Sequence, residues 1–438
     1  MRKKQAYVCD SCGYEAPAWF GRCPMCGEWN TAVKMSIETE DVSTIDTVTP
    51  RALADVLTDE HMRFSTGMTE IDRVLGGGVV PGSVVLVSGE PGIGKSTLML
   101  QIAALVASDK DVLYVSGEES DRQIKLRAER LGIPEKRVSI ATTGDLSFLK
   151  SLDVQRFSMI IFDSLQTLKL PEVPSLPGSV VQVRECANYI VSLAKKTDVP
   201  IFIVGHVTKG GQIAGPKLVE HLVDTVLYFE ASKTGYRFLR TTKNRFGPSD
   251  EIAVLEMTSL GLKEISDLST IFVEDYIPAP GNVITAVVEG SKTFLVEIQS
   301  LVSKPLYGTP RKLSNGVPLD RILLIAAVLT RRAGIPLDSM DIYVNVAGGI
   351  QLSDPGADLA IVASIVSSFF DESLPKGFAA FGEIGLDGSI RPVIFSDRRI
   401  DRLKNSKFSY IFSPDGGEIV KNVKEFVKYL GGIRREPL

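Results

Sequence analysis

The residues Gly89-Glu90-Pro91-Gly92-Ile93-Gly94-Lys95-Ser96 fit the pattern G-x-x-x-x-G-K-[ST] without a mismatch. Glycines let the backbone fold around an anion, and a helix starting at the end of the loop adds unpaired N–H groups and partial positive charge. At this spacing Lys95 reaches the β- and γ-phosphates and Ser96 can ligate Mg2+, so residues 89–97, with Thr97 closing the set, are the candidate ATP site. The alternative is a chance glycine-rich turn. Against it stand the flanks: the apolar run 83–88 reads as a buried parallel strand and 96–106 as a helix.

Four of the five cysteines form two knuckles, Cys9-x-x-Cys12 and Cys23-x-x-Cys26, each followed by glycine (Gly13, Gly27). Four thiolates at this spacing suit a tetrahedral ion, with Zn2+ the best fit. Iron in a similar four-sulfur cage and two disulfides are the alternatives, the latter needing an oxidising compartment that nothing else supports. Residues 1–34 are too few to bury a core, so a metal would serve as one. Both tryptophans of the chain, Trp19 and Trp29, fall here; they cover the metal site or offer a surface to a base or a protein. Residues 35–60, rich in Thr, Glu, Asp and Ser at their start, read as a linker.

With 438 residues, 44% apolar and 23% charged, the chain calls for two or three domains of an ordinary globular kind. No apolar run approaches the roughly 20 residues a membrane span requires, and the basic N-terminus lacks a following apolar stretch, so neither membrane nor secretion is expected and the cytoplasm is the default address. The net charge of −4 means that any nucleic acid must be met by local basic patches.

The approach to the phosphate loop, from Phe64-Ser65-Thr66-Gly67 through Asp72, Leu75, Gly76-Gly77-Gly78 to Pro81-Gly82, resembles that of the RecA and KaiC class of ATPases. Alternating strand and helix patterns follow, as a doubly wound α/β sheet demands, and residues 61–268 are assigned to this domain. Strand 158–163 ends in Asp163, placed to hold Mg2+ through water. Strand 111–116 runs into Gly117-Glu118-Glu119, where a carboxylate can orient or deprotonate the attacking water. The resemblance gives that role to Glu118, with Glu119 as alternate, although acids favoured by a helix start are the simpler reading of both. The resemblance also makes His206, at the end of strand 200–206, a γ-phosphate sensor or merely a structural residue, and implies that 207–217 and 166–178 face single-stranded DNA.

Lys243-Asn244-Arg245-Phe246-Gly247 follows the strand-like stretch 236–242. Joined to the cysteine module and the RecA-like core, it resembles the signature of the bacterial RadA (Sms) family of DNA repair and recombination proteins. Two cations one residue apart suit a phosphate across a subunit boundary, so Lys243 and Arg245 act in trans on a neighbour's nucleotide or couple it to DNA. Residues 269–438 resemble the Lon protease domain, with strands at 283–289 and 294–300 and a helix at 319–331. The nucleophilic serine's position holds Ala357, and the paired lysine's position falls near Asp397. A serine–lysine dyad needs both members, so peptidase activity is not expected. Lys304, Arg311, Lys312, Arg321, Arg398, Arg399, Arg402 and Lys404 are either a DNA-binding face or solvated surface. The family resemblance implies a homohexameric ring driven by ATP and Mg2+, a helicase-type motor that binds single-stranded and branched DNA and promotes branch migration beside the RecA recombinase. A KaiC-like signalling ATPase without translocation is the rival.

Overall fold

The computed structural model describes residues 4–11, 13–37, 63–107, 111–133, 137–206, 219–231, 235–267, 273, 276–305, 308–349 and 351–432. The chain packs as two compact units, Met1–Ala231 with Arg237–Glu264, and Ser232–Tyr236 with Ile265–Leu438. Among the described residues no helix is long and apolar enough to cross a membrane.

The first unit opens with a small antiparallel sheet, ordered β2-β1-β3 (β1 Lys4–Cys9, β2 Glu15–Ala16, β3 Ala32–Ile37). Its main body is a nine-stranded sheet in the order β12-β11-β10-β9-β4-β8-β7-β5-β6. The strands are β4 Val84–Gly89, β5 Asp111–Ser116, β6 Val138–Thr142, β7 Phe157–Asp163, β8 Ile201–His206, β9 Thr225–Ala231, β10 Tyr236–Asn244, β11 Ile252–Thr258 and β12 Gly261–Ile265. Helices α1 Thr69–Val74, α2 Lys95–Val106, α3 Asp121–Arg130 and α4 Val180–Thr197 complete it. β4 is buried throughout, and apolar from Val84 to Val87, because it sits between two parallel partners, β8 and β9, with apolar layers on both faces. From β4 the chain runs through α2 to β5, leaving two places in the sheet for β7 and β8. The register sets Gly89 beside His206 and Ser116 beside Asp163, so four loops leave the same sheet edge.

The second unit is α+β. Its mixed sheet runs β15-β16-β14-β13-β17-β20-β21, from β13 Asn282–Glu289, β14 Lys292–Ser303, β15 Lys312–Asn315, β16 Asp341–Val346, β17 Phe378–Ala380, β20 Tyr410–Ser413 and β21 Glu418–Ile419; β18 Glu383–Ile384 and β19 Ile390–Arg391 pair separately. Helices α5 Leu319–Val328, α6 Asp358–Phe370, α7 Ser396–Asn405 and α8 Val423–Gly432 pack with it. The helix expected at 319–331 stops at Val328 and widens into a π-helical turn, Leu329–Ala333, before Gly334. α6 is buried from Asp358 to Ser368, as its nearly unbroken apolar sequence requires.

Candidate functional site

Gly92 and Gly94 have φ of 77° and 115°, a backbone that only glycine takes up readily, and nothing lies within 4 Å of a Cβ built at Gly92. The loop therefore curves around open space of the sort an anion fills. The observed α2 begins at Lys95, directly behind the loop, so its free N–H groups face that space, with Ser96 and Thr97 in its first turn. Lys95, 3% exposed, donates from Nζ to the carbonyls of Gly89 and Glu90, each at 2.8 Å. Burial pushes its pKa down to about 8, against the pull of the Asp163 and Glu118 carboxylates, which raise it. The residues fit a nucleoside triphosphate with a divalent cation.

Asp163, at the end of β7 and 6% exposed, accepts from the Tyr114 hydroxyl at 2.6 Å. The two acidic candidates after β5 divide. Glu119 is engaged by Arg127, whereas Glu118 accepts from Ser164 Oγ and lies 3.4 Å from His206 Nε2. The arrangement thus brings Glu118, Asp163, Lys95 and His206 to one edge. Gln166 Nε2 donates to the His206 carbonyl at 3.4 Å, and Gln166 Oε1 and His206 Nδ1 are buried without a hydrogen-bond partner among the described residues. Residues 207–217 lie outside the described residues; 166–178 lie within them. The sequence reading missed Tyr114, Ser164 and Arg237, whose Nε donates to the Ile93 carbonyl at 3.1 Å. Their only sequence signal was a polar group inside, or just beyond, an apolar strand.

The basic turn is elsewhere. Asn244 pairs with Thr225, which pairs with Val85 at the start of β4, whereas Gly89 pairs with Phe229. Four residues of strand, about 13 Å, separate the turn from the phosphate loop of its own chain. Lys243, expected on the turn, is still in β10, and its Nζ donates to the carbonyls of Glu220, His221 and Val223 at 2.8, 3.2 and 2.8 Å. Burial, then the Arg245 charge, lowers its pKa. Arg245 pairs at 2.9 Å with Asp224, whose other oxygen accepts from Val84 N. Gly247 meets Gly76: a Cβ on Gly247 would come within 2.8 Å of the Gly76 Cα. The triple-glycine approach and the basic turn are therefore one packed feature. Asp72 organises the approach, accepting from Ser65 and Thr66 with its carboxylate and from Gly77 N and Gly78 N with its carbonyl.

Cys9, Cys23 and Cys26 bring their sulfurs within 4.8 Å of one another, with Cys9 and Cys26 3.7 Å apart and not joined in a disulfide. Cys12 lies outside the described residues. Each knuckle is closed by its glycine, Gly13 N donating to Cys9 O and Gly27 N to Cys23 O, both glycines at φ near 78°. Trp19 and Trp29 are 61% and 68% exposed, with Arg22 stacked on Trp29. Cys9 and Cys23 are buried and Cys26 is exposed.

In the second unit Ala357, 2% exposed, lines a hollow of about 250 Å3 at the start of α6 together with Arg321 and Asp358. The described lining holds one hydroxyl, Ser353, and no lysine. Burial raises the Asp358 pKa, with Arg321 opposing. The expected basic face is corrected at Arg399, which is 1% exposed, paired with Asp354 at 2.7 Å and donating to the Ala286 carbonyl. A buried guanidinium already satisfied cannot meet DNA. Arg321 and Arg402 are likewise held by Asp358 and Asp267.

Residues 7–34 match the family model of a rubredoxin metal binding domain, and 49–212 that of an AAA domain. A solved RadB recombinase aligns with 46% of this chain and 99% of its own at 24% identity, with a TM-score of 0.37. DNA repair protein RadA of Aquifex aeolicus is 44% identical over 98% of this chain and 99% of its own, and that of Bacillus subtilis is 44% identical over 94% and 93%. Likeness at that level runs through metal module, ATPase core and second unit alike, and the chain belongs to the family of DNA repair protein RadA.

Proposed function

We propose that this chain is an ATP-driven DNA motor of recombinational repair, a cytoplasmic ring of six copies that moves on single-stranded DNA and migrates branches beside RecA. The observation that carries the reading is the gathering of Lys95, Glu118, Asp163 and His206 at one sheet edge, with the basic turn at the other. A site whose cations lie too far from their own loop is completed by a second copy. In this reading Lys95 and the 89–97 backbone bind the triphosphate, Ser96 and Asp163 hold Mg2+, and Glu118 orients water. Mg2+ supplies charge neutralisation at the phosphates. Ser164 fixes Glu118, and His206 passes the state of the site to Gln166 and the segment 166–178.

Lys243 and Arg245 couple nucleotide to DNA by gripping residues 220–224, two residues beyond 207–217, and act on a neighbour's phosphate when that grip loosens. Four cysteines including Cys12 hold Zn2+. The division of labour is 1–34 metal module, 35–60 linker, 61–268 motor and 269–438 assembly, without peptidase activity. The test is ATP-dependent displacement of a labelled strand from forked DNA, with Lys95→Ala as control. Displacement lost in Lys95→Ala and reduced at least tenfold in Lys243→Ala supports the motor. DNA-independent hydrolysis with no displacement would favour a signalling ATPase.

A further inference from the structure

Tyr114 sits in the middle of β5, between Ile161 of β7 and Ile140 of β6, and is 1% exposed. It belongs to the same apolar core as Leu98, Met99 and Ile161, where a phenylalanine would satisfy packing alone. Its hydroxyl donates to Oδ2 of Asp163 at 2.6 Å, a charge-assisted bond of the stronger kind. A phenol hydroxyl has one proton to give, and here the carboxylate takes it as an acceptor.

We infer that Tyr114 is a positioning residue for the metal-binding carboxylate: by occupying Oδ2 it fixes the rotation of Asp163 and leaves Oδ1 for a Mg2+-bound water. Without the hydroxyl a carboxylate at the end of a strand can turn, and a rotated carboxylate holds the cation's water poorly. The inference rests on the proposed role of Asp163 and is tested together with it.

The probe is an N-methylanthraniloyl-labelled ATP bound to the full chain, first in EDTA and then across a Mg2+ titration, for the wild type, Asp163→Ala, Tyr114→Phe and a chain with 4-aminophenylalanine in place of Tyr114. Expected for Tyr114→Phe are an EDTA affinity within twofold of wild type and a Mg2+ midpoint at least fivefold higher. The aminophenylalanine chain, which keeps an N–H donor, should return to within threefold. If Asp163→Ala shifts the midpoint and Tyr114→Phe does not, the inference alone falls; if Asp163→Ala leaves it unmoved, the role of Asp163 falls as well. Equal loss in EDTA and in Mg2+, or no rescue by the amine, also overturns the positioning role. A second readout keeps the hydroxyl: the Cζ resonance of 13C-labelled Tyr114 should move when Mg2+ is added to the ATP-bound wild type, and a static resonance overturns the inference.

Discussion

An ammonium held against two loop carbonyls is a charge waiting for a better partner. Lys95 titrates near pH 8 because burial disfavours its cation, whereas an exposed lysine titrates near 10.4. Between those values the unfolded chain holds a proton that the folded chain has released. Stability from this group therefore rises with pH from about 8 to about 10.4, and the burden of the buried charge is present in full below 8. A bound triphosphate reverses the preference and restores the proton. ATP binding at pH 8.5–9 is accordingly expected to take up a fraction of a proton and to weaken as pH rises through 8. Calorimetry in two buffers of different ionisation heat checks this, and Lys95→Ala should abolish the uptake and lower ATP turnover at least 100-fold. The sequence showed Lys95 by its motif, but Tyr114 was invisible in it, because only the register of β5 against β7 sets a phenol beside Asp163.

Elements of this fold are legible where one period dominates. Asp111–Ser116 and the strands around Asp163 and His206 stand out as apolar runs because parallel neighbours bury both faces. The basic turn was harder to place, since nothing local says that Lys243 folds onto carbonyls at 220–223 or that Gly247 abuts Gly76. That contact leaves no room for a methyl group, so Gly247→Ala should destabilise the ATPase unit by about 1–3 kcal/mol through overpacking, measured by denaturant unfolding with the wild-type slope retained. At the metal module the chain's two tryptophans give a private signal. Chelating the metal should change their emission, because Trp19 and Trp29 flank the second knuckle in sequence and Trp29 bridges to Arg22 beside it, and leave labelled-ATP binding unaltered. Cys9→Ser should mimic the chelator.

At the scale of the whole molecule, the second unit keeps a hollow at Ala357 whose neighbours are committed to other duties. Asp358 is buried against Arg321, and Asp397 is exposed on α7. Ala357→Ser restores a hydroxyl but no neutral amine to accept its proton. Casein and peptide cleavage by that variant should stay at background, and measurable cleavage would refute the assignment. The seam between Gly76 and Gly247 has a further consequence. Two stretches far apart in the chain meet backbone to backbone, and no residue with a Cβ fits either half without displacing the other. A change at one cannot be offset by a smaller partner, because no smaller partner exists. The pair should therefore be inherited together or lost together, and a chain carrying only one of the two glycines should have repacked the seam between its triple-glycine approach and its basic turn.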